Sequence, residues 1–576
     1  MTHRFQAHDT RLGWDLDGVW DFAYLGDADP DSIDVARLAF PERMAVPGCF
    51  DATPAYAGKR GLAAYRARLF FPEAGRYRLI FGGVNHWCSV WVGGEKRAEH
   101  GGGSARFSVD ITAQQPGEAD LVVLVDNRFD PLRSPLHYEF YDWYHYGGIA
   151  RPVRMERLGD LWIENLRAVT EDYLTRRVTV AIEYTALTYP QQADLVLSFD
   201  GQVVLAEKVQ IDSPSGMFHR ELAFPEAALW SPRQPALHAL HARLGSDDLR
   251  ARIGIRQVQA AGRDILINGE PVQLLGFNRH EAHPQFGSAL PEQIMVSDVQ
   301  QFLDLGCNFV RGSHYPQDER FLDLCDEAGI CVWNEITGWQ NTVEHLTDPR
   351  FLAAQKQQAA EMVAMSFNHP SVILYGLLNE SVSNDPDAGP GYEEIISTLR
   401  GLDPTRLITY ASNHPMDDLC LALADVISIN AYPGWYEGSI EEIPARIGAI
   451  MDRIDQAGSQ EKPCIISEIG AEGIYGWRDW NETRWSEQYQ ARLLEMVIRH
   501  LFIEPMENKH PSLAAGISIW LFSDFRTSQG LPRILGRGRG FNNKGVVDEY
   551  RRPKQAYDTV RDLFHHIGKI AQENNW

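Results

Sequence analysis

The chain has 576 residues, 44% of them apolar and 23% charged, and a net charge of −24. That excess of acid excludes nucleic acid and anionic membrane surfaces as partners, because both are themselves negative. There is no apolar run near the ~18 residues of a membrane span, no signal-like N-terminus and no CxxC pair, so a cytoplasmic protein with reduced thiols and roughly three or four domains is expected.

Residues 1–158 read as short strands separated by glycine-rich turns. YRARLFF (65–71), YRLIFGGVNHWCSVWVGGEKRAEHGGG (77–103) and LVVLVDN (121–127) alternate between polar and apolar, the pattern of a jelly-roll β-sandwich. The segment HYEFYDWYHYGGIARPVRMERL (137–158) crowds polar-tipped rings together, either as a loop reaching toward a sugar or as an edge packed between domains. Residues 159–258 again alternate, in RRVTVAIEYTAL (176–187), DLVLSFDG (194–201) and ALHALHARL (236–244). Their span suits an immunoglobulin-like sandwich acting as a spacer.

From 259 to 576 the pattern changes to strands alternating with amphipathic helices. Eight strand candidates follow one another: 272–278, 308–314, 331–336, 371–380, 407–413, 426–432, 464–470 and 516–522. Helical patterns fall at 291–306, 318–329, 486–502 and 554–568, and the unit after 413 has a short helix or none. This is the layout of a (β/α)8 TIM barrel, in which the carboxyl ends of the strands form the active-site mouth. The fourth strand, SVILYGLLNE (371–380), is apolar until Asn379 and Glu380. By itself it is also compatible with a buried strand followed by a helix cap.

Given a barrel, the polar residues at strand ends gather in one place. They are Asn278, Arg279, His280 and Glu281; Arg311 and His314; Glu335; Asn379 and Glu380; Asn430, Tyr432, Trp435 and Tyr436; Glu468; and Trp520 and Asp524. Several carboxylates facing one cavity carry a desolvation cost that acid/base or nucleophilic chemistry would explain. Glycoside hydrolysis uses such a pair, about 5–5.5 Å apart in retaining enzymes. A metal set of His280, Glu281, His314 and Glu335 is the competing arrangement, but it lacks the local spacing of a zinc motif, and no metal or cofactor is expected. Glu335 is either a third acid or the ion-pair partner of Arg311. Arg533, Arg537 and Arg539 make a basic patch in an acidic chain, which points to an anionic substrate or else to a solvated loop.

The motifs GFNRHE, VRGSHYP (310–316), LLNES (377–381), INAYPGWY (429–436), IISEIG (465–470) and WLFSDFRTSQG (520–530) together resemble glycoside hydrolase family 2, over nearly the whole chain. Within that family the resemblance is to the β-glucuronidases. It implies that Glu380 is the general acid/base and Glu468 the nucleophile, with the Glu380 pKa raised and Glu468 ionised. It also implies that Asn542 and Lys544, in FNNKG (541–545), hold a sugar carboxylate, and that Asp142 reaches sugar hydroxyls from the jelly roll. Arg311, His314, Asn379, Asn430, Tyr432, Tyr436, Trp520 and Arg533 complete the expected substrate site.

The expected partner is a carbohydrate ending in a uronic acid, and the expected assembly a homo-oligomer. Two departures leave galacturonides and galactosides as alternatives. AHPQFG follows GFNRHE, as in β-galactosidases, and RILGRGRGFNNK is long. The short connection TGWQNTVEHLTDPRF (337–351) suits an open site that accepts oligosaccharide ends. A non-catalytic sugar-binding protein is the remaining reading, and the presence of both Glu380 and Glu468 argues against it.

Overall fold

The computed structural model of the chain describes residues 6–131, 133, 142–456, 461–528 and 536–574. In the first part, alternation of side chains lays the backbone out as two antiparallel sheets. Leu62–Phe71, Gly117–Asp126 and Trp87–Val92 lie at the centre of a six-stranded sheet. Gly75–Phe81 and Val153–Leu158 lie at the centre of a four-stranded one. Phe22, Tyr65, Leu79, Phe81, Val123 and Met155 fill the space between them.

A second pair of sheets follows, of five and three strands, around Val180, Ile182, Leu195, Leu197 and Leu240. Its Asp247–Ile253 strand is extended by Gln6–Ala7, so the N-terminal residues complete this sheet and not the first. Gln202–Ile211 and Ser215–Ala223 are strands that the sequence pattern does not announce. The latter has no buried residue along its nine positions, so no apolar alternation marks it.

The C-terminal part is a closed barrel of eight parallel strands. They are β1 (Leu274–Arg279), β2 (Phe309–Gly312), β3 (Cys331–Glu335), β4 (Val372–Leu377), β5 (Leu407–Ser412), β6 (Ile427–Asn430), β7 (Cys464–Glu468) and β8 (Gly516–Ile519). Every residue of β4 is buried, as a strand covered on both faces requires. Helices follow most strands. Glu319–Ala328, for example, starts on an Asp318 side-chain cap and stops at Gly329 in the left-handed conformation. Between β5 and β6 there is only the short turn Leu421–Leu423, as the sequence leads one to expect. The chain is thus a multidomain, mostly β protein with a C-terminal parallel barrel. No helix among the described residues is long and apolar enough to cross a membrane.

Candidate active site

β4 ends at Leu377, and the backbone then turns sharply. Leu378 and Glu380 both have positive φ, 47° and 50°. For non-glycine residues this costs on the order of 1 kcal/mol each, so the surrounding structure must enforce it. It does so through Asn379 N–H to Gly338 O and Glu380 N–H to Ala411 O, both 2.8 Å. The turn aims Glu380 into a cleft of about 850 Å³ at the barrel mouth, within the usual range for a small-molecule site.

Glu468, the last residue of β7, lines the same cleft and is 3% exposed. Its Oε1 accepts from Arg311 Nη1 at 2.9 Å and its Oε2 from the Tyr432 hydroxyl at 2.6 Å. Glu380 accepts from Asn430 Nδ2 and from Gln340 Nε2, each at 3.1 Å. Burial and the neighbouring Glu380 charge push the Glu468 carboxyl up to about 8, with Arg311 and Tyr432 pulling the other way. The sequence leads one to expect an ionised Glu468, and burial beside Glu380 raises the cost of that ionisation. The physical reason is that two acids in one desolvated space resist carrying two charges.

Arg311 lies behind the cleft, fully buried, with its guanidinium 4.5 Å from the Trp333 ring. Trp333 fits because β4 has a glycine beside it: a Cβ on Gly376 would fall 1.9 Å from Trp333 Nε1. Besides Glu468, Arg311 donates to both oxygens of Glu335 (3.0 and 3.1 Å), to Asn278 Oδ1 (3.1 Å) and to Asn379 Oδ1 (2.8 Å). It therefore positions other groups from beneath and does not line the cleft. Glu335 resolves as its ion-pair partner. His314 Nδ1 is 3.0 Å from Glu335, and its ring stacks on Trp520 at 5.3 Å between centroids. Burial, and then the Arg311 charge, keep His314 neutral. Glu281 pairs with Arg151 at 2.9 Å, so the His280, Glu281, His314, Glu335 set does not assemble. Asp524 turns inward to Lys554, 2.7 Å away.

A wall of paired charges, Lys544 and Arg537 with Glu472 and Asp142, completes the cleft. Lys544 is 1% exposed; its Nζ donates to the Tyr436 hydroxyl at 3.0 Å and lies 3.6 Å from Glu472 Oε1. Arg537 bridges Glu472 and Asp142, and Asp142 enters the cleft from the first sandwich. Asn542 lies just behind the wall, where its Oδ1 accepts the Lys544 N–H at 3.3 Å and its buried Nδ2 has no partner among the described residues.

Of the three arginines in the basic run, Arg537 lines the cleft, Arg539 turns to Glu549, and Arg533 lies outside the described residues. The run itself was legible; which member faces the cleft was not. Glu472 and Gln340 are site residues that the sequence reading passed over, and nothing in their local pattern marks them. The aromatic run is described from Asp142 onward. Trp143 to Tyr146 are buried, and Trp143 packs against His314 and Trp339, so the segment both seals the domain junction and delivers Asp142.

Two carboxylates and a wall of paired charges at the carboxyl end of a parallel barrel define a site for glycosidic-bond hydrolysis. Residues 258–569 match the model of glycosyl hydrolases family 2, TIM barrel domain. A Paenibacillus borealis protein named β-glucuronidase is 28% identical, over 98% of each chain. A β-galacturonidase from Eisenbergiella tayi, solved with galacturonate, superposes with a TM-score of 0.89 at 32% identity, covering 98% of this chain and 99% of that one. A Bifidobacterium dentium β-glucuronidase, solved with coumarin-3-O-glucuronide, gives a TM-score of 0.87 at 25% identity, over 97% and 98%. The chain belongs to glycosyl hydrolases family 2 and is a glycoside hydrolase.

Proposed function

We propose that the chain is a retaining, exo-acting β-glucuronidase that hydrolyses terminal β-D-glucuronides through a covalent glycosyl-enzyme intermediate. The observation that carries this reading is the joint presence of Glu380, Glu468, Lys544 and Arg537 on one cleft. Glu468 attacks the anomeric carbon as the carboxylate, the form favoured by its bonds from Arg311 and Tyr432. Glu380 gives its proton to the leaving oxygen as the glycosidic bond breaks. In the second half, Glu380 takes a proton from water, whose oxygen displaces Glu468 and regenerates both groups.

Lys544 and Arg537 supply the charge for a uronate carboxylate, and charge-assisted hydrogen bonds of this kind are roughly twice as strong as neutral ones. His314, Asn430, Tyr432, Tyr436, Trp520 and Asp142 line the space a sugar ring would take; Asn379 and Asn542, expected among them, lie behind the lining, and Arg311 holds Glu468. In this reading 1–158 and 159–258 are sandwich domains, the first donating Asp142, and 259–576 is the catalytic barrel.

β-Galacturonidase activity is the second reading, favoured by the 32% identity to the Eisenbergiella tayi enzyme against 28% to the Paenibacillus borealis protein. Rates on p-nitrophenyl β-glucuronide, β-galacturonide and β-galactoside decide between them. Faster turnover of the glucuronide supports the lead, faster turnover of the galacturonide replaces it with the second, and turnover of the galactoside alone overturns both. Proton NMR of the first-formed sugar tests retention, which requires the β-anomer.

A further inference from the structure

At the other end of the barrel a second cavity, of about 680 Å³, opens between the three-stranded sheet and the starts of β4 and β5. Its charged lining is unusual for a chain of net charge −24, since Arg167, Arg256 and Arg406 face a single carboxylate, Glu171. Arg406 is satisfied by Asp403 at 2.9 Å and by backbone carbonyls. The other two are not.

Arg256 is 6% exposed. Its Nε donates to Pro370 O at 2.8 Å and its Nη2 to Val372 O at 2.7 Å. No carboxylate among the described residues pairs with it, and its Nη1 is left to the cavity. Burial, and then the Arg406 charge, lower its pKa to about 9, and Asp403, which is ion-paired to Arg406, opposes this only in part. Arg167 is half-buried and makes no side-chain hydrogen bond or ion pair among the described residues; its guanidinium lies 5.0 Å from the Phe367 ring centroid. Stapling the sandwich to the barrel floor accounts for two of the Arg256 nitrogens. It accounts for neither the third nor Arg167.

We propose that this floor cavity is an anion-binding site, separate from the cleft at the mouth, in which Arg256 Nη1 and Arg167 hold the carboxylate or phosphate group of a small ligand. A bound oxyanion supplies the charge that the protein omits, and buried charges are otherwise paired. On the same walls the Thr170 hydroxyl, which accepts the Arg256 N–H at 3.2 Å, can donate to the rest of such a molecule. The site does not depend on the catalytic reading.

Two methionines separate the two ends of the barrel in one experiment. Met217 lines the floor cavity and Met416 the mouth cleft. The full-length protein, with isotope-labelled methionine methyl groups, is titrated with sodium phosphate and separately with sodium glucuronate, using sodium chloride as the control. The expected result is a saturable shift of the Met217 signal by at least one of the two anions, weakened about tenfold or more in Arg167→Gln, the loss expected for a charge-assisted bond. Whichever anion shifts Met217 identifies the group the site takes, and a Met416 shift reports the mouth alone. Arg167 makes no side-chain hydrogen bond or ion pair among the described residues, so its variant remains interpretable even if Arg256→Gln fails to fold. The proposal is overturned if neither anion shifts Met217, if chloride reproduces the shift, or if Arg167→Gln leaves it unchanged.

Discussion

At the mouth of the barrel Arg311 gives its guanidinium to Glu335 and Glu468, while at the floor Arg256 bonds only the carbonyls of Pro370 and Val372. Both side chains are almost wholly buried, and burial opposes both charges. At the mouth the two carboxylates more than offset it, and the Arg311 pKa ends raised. At the floor Asp403, which Arg406 already engages, offsets it only in part and Arg256 falls to about 9. The difference shows that burial alone does not set the state of a charged group; the charge of its partners does. The mouth concentrates matched charges for chemistry, and the floor holds a mismatch that the fold tolerates.

The largest way to break the comparison is to remove the nucleophile. Glu468→Gln is expected to lower uronide hydrolysis by about a thousandfold or more in steady-state assays. The same variant is expected to melt at a higher temperature than the wild type. The Glu468 pKa rises from 4.5 to about 8 on folding, so the native state binds the extra proton between those values and stability falls as pH climbs through that window. The melting-temperature gain from Glu468→Gln should therefore grow from acid pH to pH 8.

Next in size, Arg311→Met leaves Glu335 buried without a counter-charge, with the neutral His314 beside it. It is expected to cost about 3–5 kcal/mol in denaturant unfolding, whereas the floor substitution Arg256→Gln, which strands only carbonyls, should cost about 1–3 kcal/mol. Equal losses would erase the distinction between the two ends.

Between those two lies Lys544→Ala. Loss of one charge-assisted contact predicts a fall of about 10–100-fold in kcat/KM for uronides, with galactoside hydrolysis little changed. A matching fall on the galactoside would place the carboxylate contact elsewhere.

The smallest expected effect is a slope. His86, lowered to about 3, and His145, His280 and His314, all lowered by burial, stay neutral around the junction of the first sandwich and the mouth. Unfolded, each takes a proton below its ordinary 6.5, so stability drops as pH falls through that value. Glu468, raised to about 8, and Asp323 and Asp524, raised to about 7, act in the opposite direction, so the readout is a difference: the melting temperature of His86→Gln relative to the wild type should rise as pH falls from 7 to 5.

Much of this was legible beforehand because the barrel strands carry their own signal. A stretch such as Val372–Leu377, buried on both faces, has to be continuously apolar, and the carboxylate that follows it has to lie at an end. Ser215–Ala223 carried no such signal, since a strand without a buried residue looks like a loop. Arg533, Arg537 and Arg539 share composition and spacing, and only the fold of their loop against Asp142 and Glu472 selects Arg537 for the cleft.

The amino-acid sequence by itself determined the barrel, its strand order and the two acids at the ends of β4 and β7, because periodicity and strand termini are local properties. The tertiary structure alone decided which groups surround those acids. That is why Arg311 proved to lie beneath Glu468, why burial beside Glu380 raises the Glu468 carboxyl, and why Arg256 lines a cavity without an ion-pair partner among the described residues. Desolvation and Coulomb interaction depend on distances between residues far apart in the chain, and no local pattern encodes those distances.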